Sequence, residues 1–434
     1  MKTLFKNGVI ITANEQNEWF REGYLLVEGK TITAVGSGQP DTESEAEADQ
    51  VINLKGQWLM PGWVNTHGHA AMSVLRGYAD DAPLKEWLEE KMWPMEARFT
   101  ADTVRWGTAL AVVEMLKSGT TCFVDMYDHM DTVAEVVEEA GIRGVLARGI
   151  IGLCPEEEQK AKLNEATAFA QRWHQQAGGR ITTMMSPHAP YTCPPAYIHR
   201  IVERAQQLDL PVHIHLSETA KEVRQNIRHY GQRPVPHLRD IGVFERPTLV
   251  AHAVHLEEEE MDILQEYDVK ISHNPASNLK LGSGIAQVPR LLERGFRLSI
   301  GTDSAASNNN LDMFQEVRLA ALIHKGVHQE PTVVPAEAAL KMGTKWGAEC
   351  AFVPHVGSLE KGKEADFIII NPGQAHLQPV HDPVSHIIYA ASGSDVRHVY
   401  VQGKQVVKDG RCITLDEEKV IYEANRVWRE LSRN

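Results

Sequence analysis

From Leu59 to about Pro354 short apolar runs alternate with longer amphipathic stretches, a pattern that predicts repeated strand–helix units and a parallel sheet. The strands expected are Trp58 to Thr66, Thr121 to Met126, Arg143 to Gly149, Thr182 to Ser186, Pro211 to Leu216, Thr248 to Ala251, Val269 to Ser272 and Arg297 to Gly301. Between them, Thr100 to Ser118 carries apolar residues at three-to-four spacing ahead of Gly119, and Met130 to Ala140 does so ahead of Gly141, so both read as helices. Eight such units closing on themselves give an α/β fold, a (β/α)8 barrel of about 300 residues with insertions. The flanks differ. Residues 1–56 hold short β-like runs, Leu4 to Thr12 and Tyr24 to Val27, punctuated by glycines, and read as the first part of a small β-sandwich with Asp41 to Asp49 as a solvated loop. Residues 356–434 return to β character in Ala365 to Ile370 and in Val396 to Val406, the latter broken at Gly403, before a terminal helix from about Leu415 to Leu431. Neither flank can bury a core alone, so the two are expected to share one sheet, with residues 57–355 as the barrel.

Composition narrows the function. The chain has 434 residues, 43% hydrophobic, and a formal charge of −14, which repels a phosphate backbone or an anionic membrane surface. Neither nucleic acid nor membrane is an expected partner, and no window approaches the ~18 apolar residues of a membrane helix. The five cysteines are scattered, with no C-x-x-C pair, and no signal-peptide core follows Met1, so the expected compartment is a reducing one, the cytoplasm. Composition leaves the 20 His unexplained.

Their placement is informative. His67-Gly68-His69 directly follows the first barrel strand, at the C-terminal rim where barrel active sites lie, and two His at i and i+2 on extended backbone point the same way and can share a metal. Gly68 would keep that turn clear. His215 closes strand five with Glu218 three residues on, suiting a metal ligand and a proton-transfer carboxylate. His213, two residues deeper, reads as a supporting or core histidine. Asp303 follows strand eight, where a carboxylate can bind a metal with one oxygen and take a proton from water with the other; away from a barrel rim it would be an ordinary helix N-cap. His252 ends strand six, placed to hydrogen-bond a metal-bound hydroxide, and His255 reads as structural or surface.

H-x-H at strand one, His at strands five and six and Asp at strand eight, in that order, resemble the metal-dependent amidohydrolase superfamily over essentially the whole chain. Met60-Pro61-Gly62-Trp63, Ser118-Gly119-Thr120-Thr121 and Gly357 to Phe367 also fit it. Strand four supplies no bridging Lys, so the resemblance implies one metal, with His67, His69, His215 and Asp303 as ligands. Zinc is the family's choice, while three His and one Asp suit iron(II) and manganese(II) as well. Within the superfamily, the segments Thr66 to Gly77, Trp87-Leu88 to Glu96, Ser186 to Tyr191 and His273 to Leu281 resemble the bacterial 5-methylthioadenosine/S-adenosylhomocysteine deaminases.

That resemblance implies deamination of an adenine ring in a small nucleoside substrate: Asp303 and His252 deprotonate the metal's water, hydroxide attacks the amino-bearing carbon, and Glu218 protonates the ring nitrogen. Glu96 would hold the ribose hydroxyls, with Arg148 and His188 completing the nucleoside site and Trp87 as a lid. Otherwise Glu96 is a surface carboxylate, Arg148 a rim ion pair and Trp87 a packing residue. Lys160 and Lys162 are the candidates for a substrate carboxylate. The alternative reading keeps the metal and changes the ring to guanine, cytosine or a triazine. A homo-oligomer is compatible with the sequence, as is a single chain.

Overall fold

A computed structural model describes residues 1–433. Eight strand positions form a parallel barrel. In order they are Trp63–Asn65, Thr120–Tyr127, Arg143–Ile150, Ile181–Thr183 continuing in Ser186–Pro187, Val212–Leu216, Thr248–His252, Lys270–His273 and Leu298–Ile300. The first four and the last four make separate hydrogen-bonded arcs. Met185 bridges to Val212 at one junction, and at the other Thr66 N–H donates to the Ile300 carbonyl at 3.0 Å, which closes the ring. These strands are buried on both faces, which is why they read as apolar runs rather than alternating ones.

A nine-stranded sheet covers the N-terminal flank of the barrel sequence and draws on both chain ends. Phe367–Ile370 pairs antiparallel with Trp58–Pro61, which lies parallel to Lys2–Ile11. The two ends therefore share one sheet, as their lengths required. Here the expected strand Trp58 to Thr66 is corrected: it is two strands. Trp58–Pro61 belongs to the outer sheet and Trp63–Asn65 to the barrel. The break falls at Gly62, where a Cβ would lie 2.2 Å from the Thr121 side chain. The expected loop Asp41 to Asp49 also contains a short helix, Thr42–Ala46, beside a Lys2–Glu47 ion pair of 2.8 Å.

Three features position the site. Ala101–Lys117 forms as the sequence required, with Thr100 capping its first turn by accepting from Thr103 N–H. The terminal helix Glu417–Arg433 buries Val420, Ala424, Val427 and Leu431, a stripe at helical spacing, and packs on Ala101–Lys117. Val427 and Leu431 also join Trp87, Met92 and Met95 in a cluster with Met72, Leu75 and Leu281. That cluster seats the insertion before Ala101, in which a π-helical segment, Trp87–Met92, links two short α-helical pieces over the barrel mouth. Such segments are frequent at functional sites.

Candidate active site and metal centre

The rim of the barrel brings His67, His69, His215, His252 and Asp303 together. The ligand atoms of His67, His69 and Asp303 lie within 4.8 Å of one another, and so do those of His67, His215 and His252. The two groups share His67. Asp303 Oδ1 stands 3.3 Å from His69 Nε2 and 3.7 Å from His67 Nε2.

The hydrogen bonds fix which nitrogen of each ring is bare. His213 Nδ1 lies 2.9 Å from the Leu249 carbonyl and must donate to it, so its Nε2 is an acceptor, and His67 Nδ1–H donates to that atom at 2.9 Å. His69 Nδ1–H donates to the Met126 carbonyl at 2.6 Å and His215 Nδ1–H to the His188 carbonyl at 2.8 Å. All three rings therefore turn Nε2 to the centre, the arrangement in which outer partners orient metal-binding histidines. Burial first, then the neighbouring imidazoles, hold His67 and His215 well below the usual histidine range, so both are neutral. His67 Nε2 is wholly buried and has no hydrogen-bond partner, an orphan that a cation would satisfy. This donor chemistry fits a divalent metal ion, and His213 orients His67 from behind.

Carboxylates complete the group. Asp303 accepts from Ser304 N–H at 2.7 Å and from Ser277 Oγ–H at 2.6 Å, and its own N–H donates to the His67 carbonyl, tying strand eight to strand one. Glu218 is buried, 3.8 Å from His252 Nε2, and accepts from Ser283 Oγ–H at 3.3 Å. Burial and then the Asp303 carboxylate push Glu218 above its ordinary value, against the pull of His252. His252 Nδ1–H donates to Asn278 Oδ1 at 2.8 Å, which leaves its Nε2 facing Glu218. Burial lowers its basicity, and the Glu218 and Asp303 carboxylates more than offset that.

The backbone here is strained. Ser217, His252, Ala253 and Asp303 adopt φ of 48°, 74°, 46° and 60°, left-handed values that cost a non-glycine residue roughly 1–2 kcal/mol each. Gly301 is sterically required, since a Cβ there would lie 2.6 Å from His67 N. Gly68 is not. Its Cβ would meet nothing closer than 3.5 Å, so the expectation that it clears the turn is not borne out by the space around it.

A cavity of about 510 Å³ opens above these groups, and Trp87, Glu96, Arg148, Lys162 and His188 line it beside His69, His215, Glu218, His252 and Asp303. Glu96 is not a surface carboxylate: Tyr127 Oη–H donates to its Oε1 at 2.6 Å, and burial raises its pKa. Arg148 combines both expectations, lining the cavity while pairing with Asp128 and Glu165 at 3.2 Å each. His188 hydrogen-bonds Thr192 Oγ1 at 2.9 Å, and burial, then His69 and His252, push it down to about 3. Lys160 is exposed and outside the lining, so of the two lysines only Lys162 reaches the cavity. His255 bonds the Ser283 carbonyl at 2.7 Å. Tyr127, Ser277, Asn278, Ser283 and Glu222 escaped the sequence reading. Tyr127 ends strand two and falls one residue past the expected strand end, where the rim rule would have found it. Ser277, Asn278 and Ser283 act on neighbours distant in sequence, whereas Glu222 stands three residues after Thr219, a T-x-x-E helix start that the sequence could have shown.

A profile of the Amidohydrolase family matches residues 58–406. The chain is 49% identical to a 5-methylthioadenosine/S-adenosylhomocysteine deaminase of Halalkalibacterium halodurans, covering 99% of each chain, and 48% identical to one of Shouchella clausii, covering both completely. Among solved structures, an adenosine deaminase from Xanthomonas campestris with bound zinc superposes with a TM-score of 0.93 at 34% identity, over 99% of this chain and 98% of that one.

Proposed function

This chain belongs to the amidohydrolase family, and from that premise we propose that it deaminates the adenine ring of 5′-methylthioadenosine and S-adenosylhomocysteine, and adenosine with them, yielding the inosine analogue and ammonia. The observation that carries this reading is a neutral-histidine metal cradle and a buried acid, Glu218, at one end of a cavity that has the buried carboxylate Glu96 in its wall. His67, His69, His215 and Asp303 would hold one divalent ion, zinc by likeness to the Xanthomonas protein. When bound, that ion supplies Lewis acidity, which makes water a nucleophile at neutral pH.

The remaining chemistry falls to the side chains. Asp303 and His252 take the proton of the attacking water: a carboxylate oxygen accepts it directly, and the carboxylates beside His252 raise the basicity of its ring. Glu218, biased towards its acid form, delivers a proton to the ring nitrogen beside the attacked carbon, which neutralises the charge that the addition would otherwise leave there. A second proton transfer releases the amino group as ammonia. The backbone strain around Ser217, His252 and Asp303 is consistent with groups held for chemistry rather than for stability.

Glu96 is suited to a cis-diol, because Tyr127 occupies Oε1 and leaves Oε2 for the ribose hydroxyls. His188 and Trp87 would bracket the base and sugar, and Arg148 with Lys162 would face the amino-acid carboxylate of S-adenosylhomocysteine. Glu96→Gln is expected to raise KM for nucleosides about 10- to 100-fold, the worth of a charged hydrogen bond, with a smaller change in kcat. Steady-state kinetics check this, and unchanged constants would remove Glu96 from the sugar site. The reaction itself is tested by ammonia release from methylthioadenosine, S-adenosylhomocysteine, adenosine, guanine and cytosine. Turnover of the nucleosides alone is expected; turnover of the bases alone would overturn the substrate assignment.

A further inference from the structure

Glu222 is a buried carboxylate that the reaction described above does not use. It is 5% exposed and, among the described residues, has no ion-pair partner. Its two oxygens are instead occupied by backbone: Oε1 accepts from Ser217 N–H at 2.9 Å and Oε2 from Glu218 N–H at 2.7 Å. An ionised carboxylate is costly to bury unless hydrogen bonds repay it, and burial and then the Glu218 carboxylate push it up to about 7, against the pull of its backbone hydrogen bonds and of His252.

The position is instructive. Glu222 is the third residue of the helix Ala220–Tyr230, the place from which a Glu in a capping box reaches back to the N–H of the capping residue. Here Thr219 caps the helix by accepting from Glu222 N–H at 3.1 Å, while the Glu222 carboxylate passes over Thr219 to the two residues before it. Those two residues lie outside the helix, so the bonds serve the turn after strand five. That turn is the strained one: Ser217 has φ of 48°, and its carbonyl accepts from Val254 and His255 N–H at 3.2 and 3.0 Å. Glu218 follows immediately.

We propose that Glu222 is a positioning residue, whose carboxylate clamps the N–H groups of Ser217 and Glu218 and so holds the left-handed turn that aims the Glu218 side chain into the cavity. The inference rests on the role given to Glu218 above. Displacing a reacting group by about 1 Å costs on the order of 100-fold in rate, and the loss should fall on kcat because Glu222 touches no substrate.

The test compares Glu222→Ala, Glu222→Gln and Thr219→Ala as metal-loaded full-length enzyme, measuring ammonia release from methylthioadenosine, metal content, Tm, and hydrogen exchange of the peptide spanning 216–219. Glu222→Ala is expected to lose about 100-fold in kcat with KM within about threefold and metal content unchanged. Glu222→Gln, nearly isosteric and keeping one acceptor oxygen, should recover part of that loss, and it carries the test should the alanine variant fail to fold. Thr219→Ala, which removes the helix cap and leaves the clamp, should lower Tm and spare kcat. Wild-type kcat in both Glu222 variants would overturn the clamp, as would an equal loss in Thr219→Ala. Wild-type protein that deaminates no nucleoside would overturn the reaction instead. Exchange then decides the clamp separately, being faster at 216–219 in the Glu222 variants if it exists and unchanged if it does not.

Discussion

Glu218→Gln is expected to lower kcat by about 10²- to 10⁴-fold, the range typical of losing a positioned general acid, with metal content and Tm close to those of the parent protein. The substitution is nearly isosteric, and the amide can still accept from Ser283 Oγ–H. What it cannot do is release a proton. Burial and the Asp303 carboxylate raise the affinity of Glu218 for its proton, against the pull of His252, which suits it to carry one to the substrate, whereas the amide offers only a hydrogen bond. The defect should therefore appear in kcat and kcat/KM alike, the mark of an interaction made in the transition state. A variant within tenfold of wild-type kcat would remove Glu218 from proton transfer and shift that duty to His252, 3.8 Å away.

Metal depletion should be at least as severe. Chelation is expected to abolish ammonia release, and one equivalent of Zn2+ per chain should restore it; protein retaining less than about a tenth of an equivalent yet fully active would refute a metal-dependent reaction. A subtler variant tests the ligand geometry. His213 touches no expected metal site, but its Nε2 accepts the Nδ1 proton of His67 and so keeps His67 Nε2 bare. His213→Ala is expected to weaken metal binding about 10- to 100-fold, as loss of an outer partner does, while Tm falls through the space left in the barrel core. Competition with a chromogenic chelator measures the first effect. Unchanged affinity would mean that His67 is oriented by packing alone.

The parallel barrel was legible because strands buried on both faces read as apolar runs separated by amphipathic helices, and the rim positions followed from the strand ends. Where two short strands abut without a polar break, as at Met60-Pro61-Gly62-Trp63, the apolar pattern carries no boundary, and only the Pro61-Gly62 pair marks the change of sheet. Glu96 shows the same limit from the other side. Its helix is too short to reveal a buried face, and the cluster of Trp87, Met92 and Met95 on the terminal helix, with the Tyr127 hydrogen bond, turns it inward.

By itself, then, the sequence determined the barrel, the shared outer sheet and the identity of the groups at the strand ends, because hydrophobic periodicity and the place where a strand ends are local properties. The tertiary structure alone decided how those groups are used. His67 meets His213 across 146 residues, Asp303 meets Ser277 across 26 and Glu218 meets Ser283 across 65. Which nitrogen is bare and which carboxyl keeps its proton depend on hydrogen bonds and burial between such distant neighbours, and the register of one strand against another sets both.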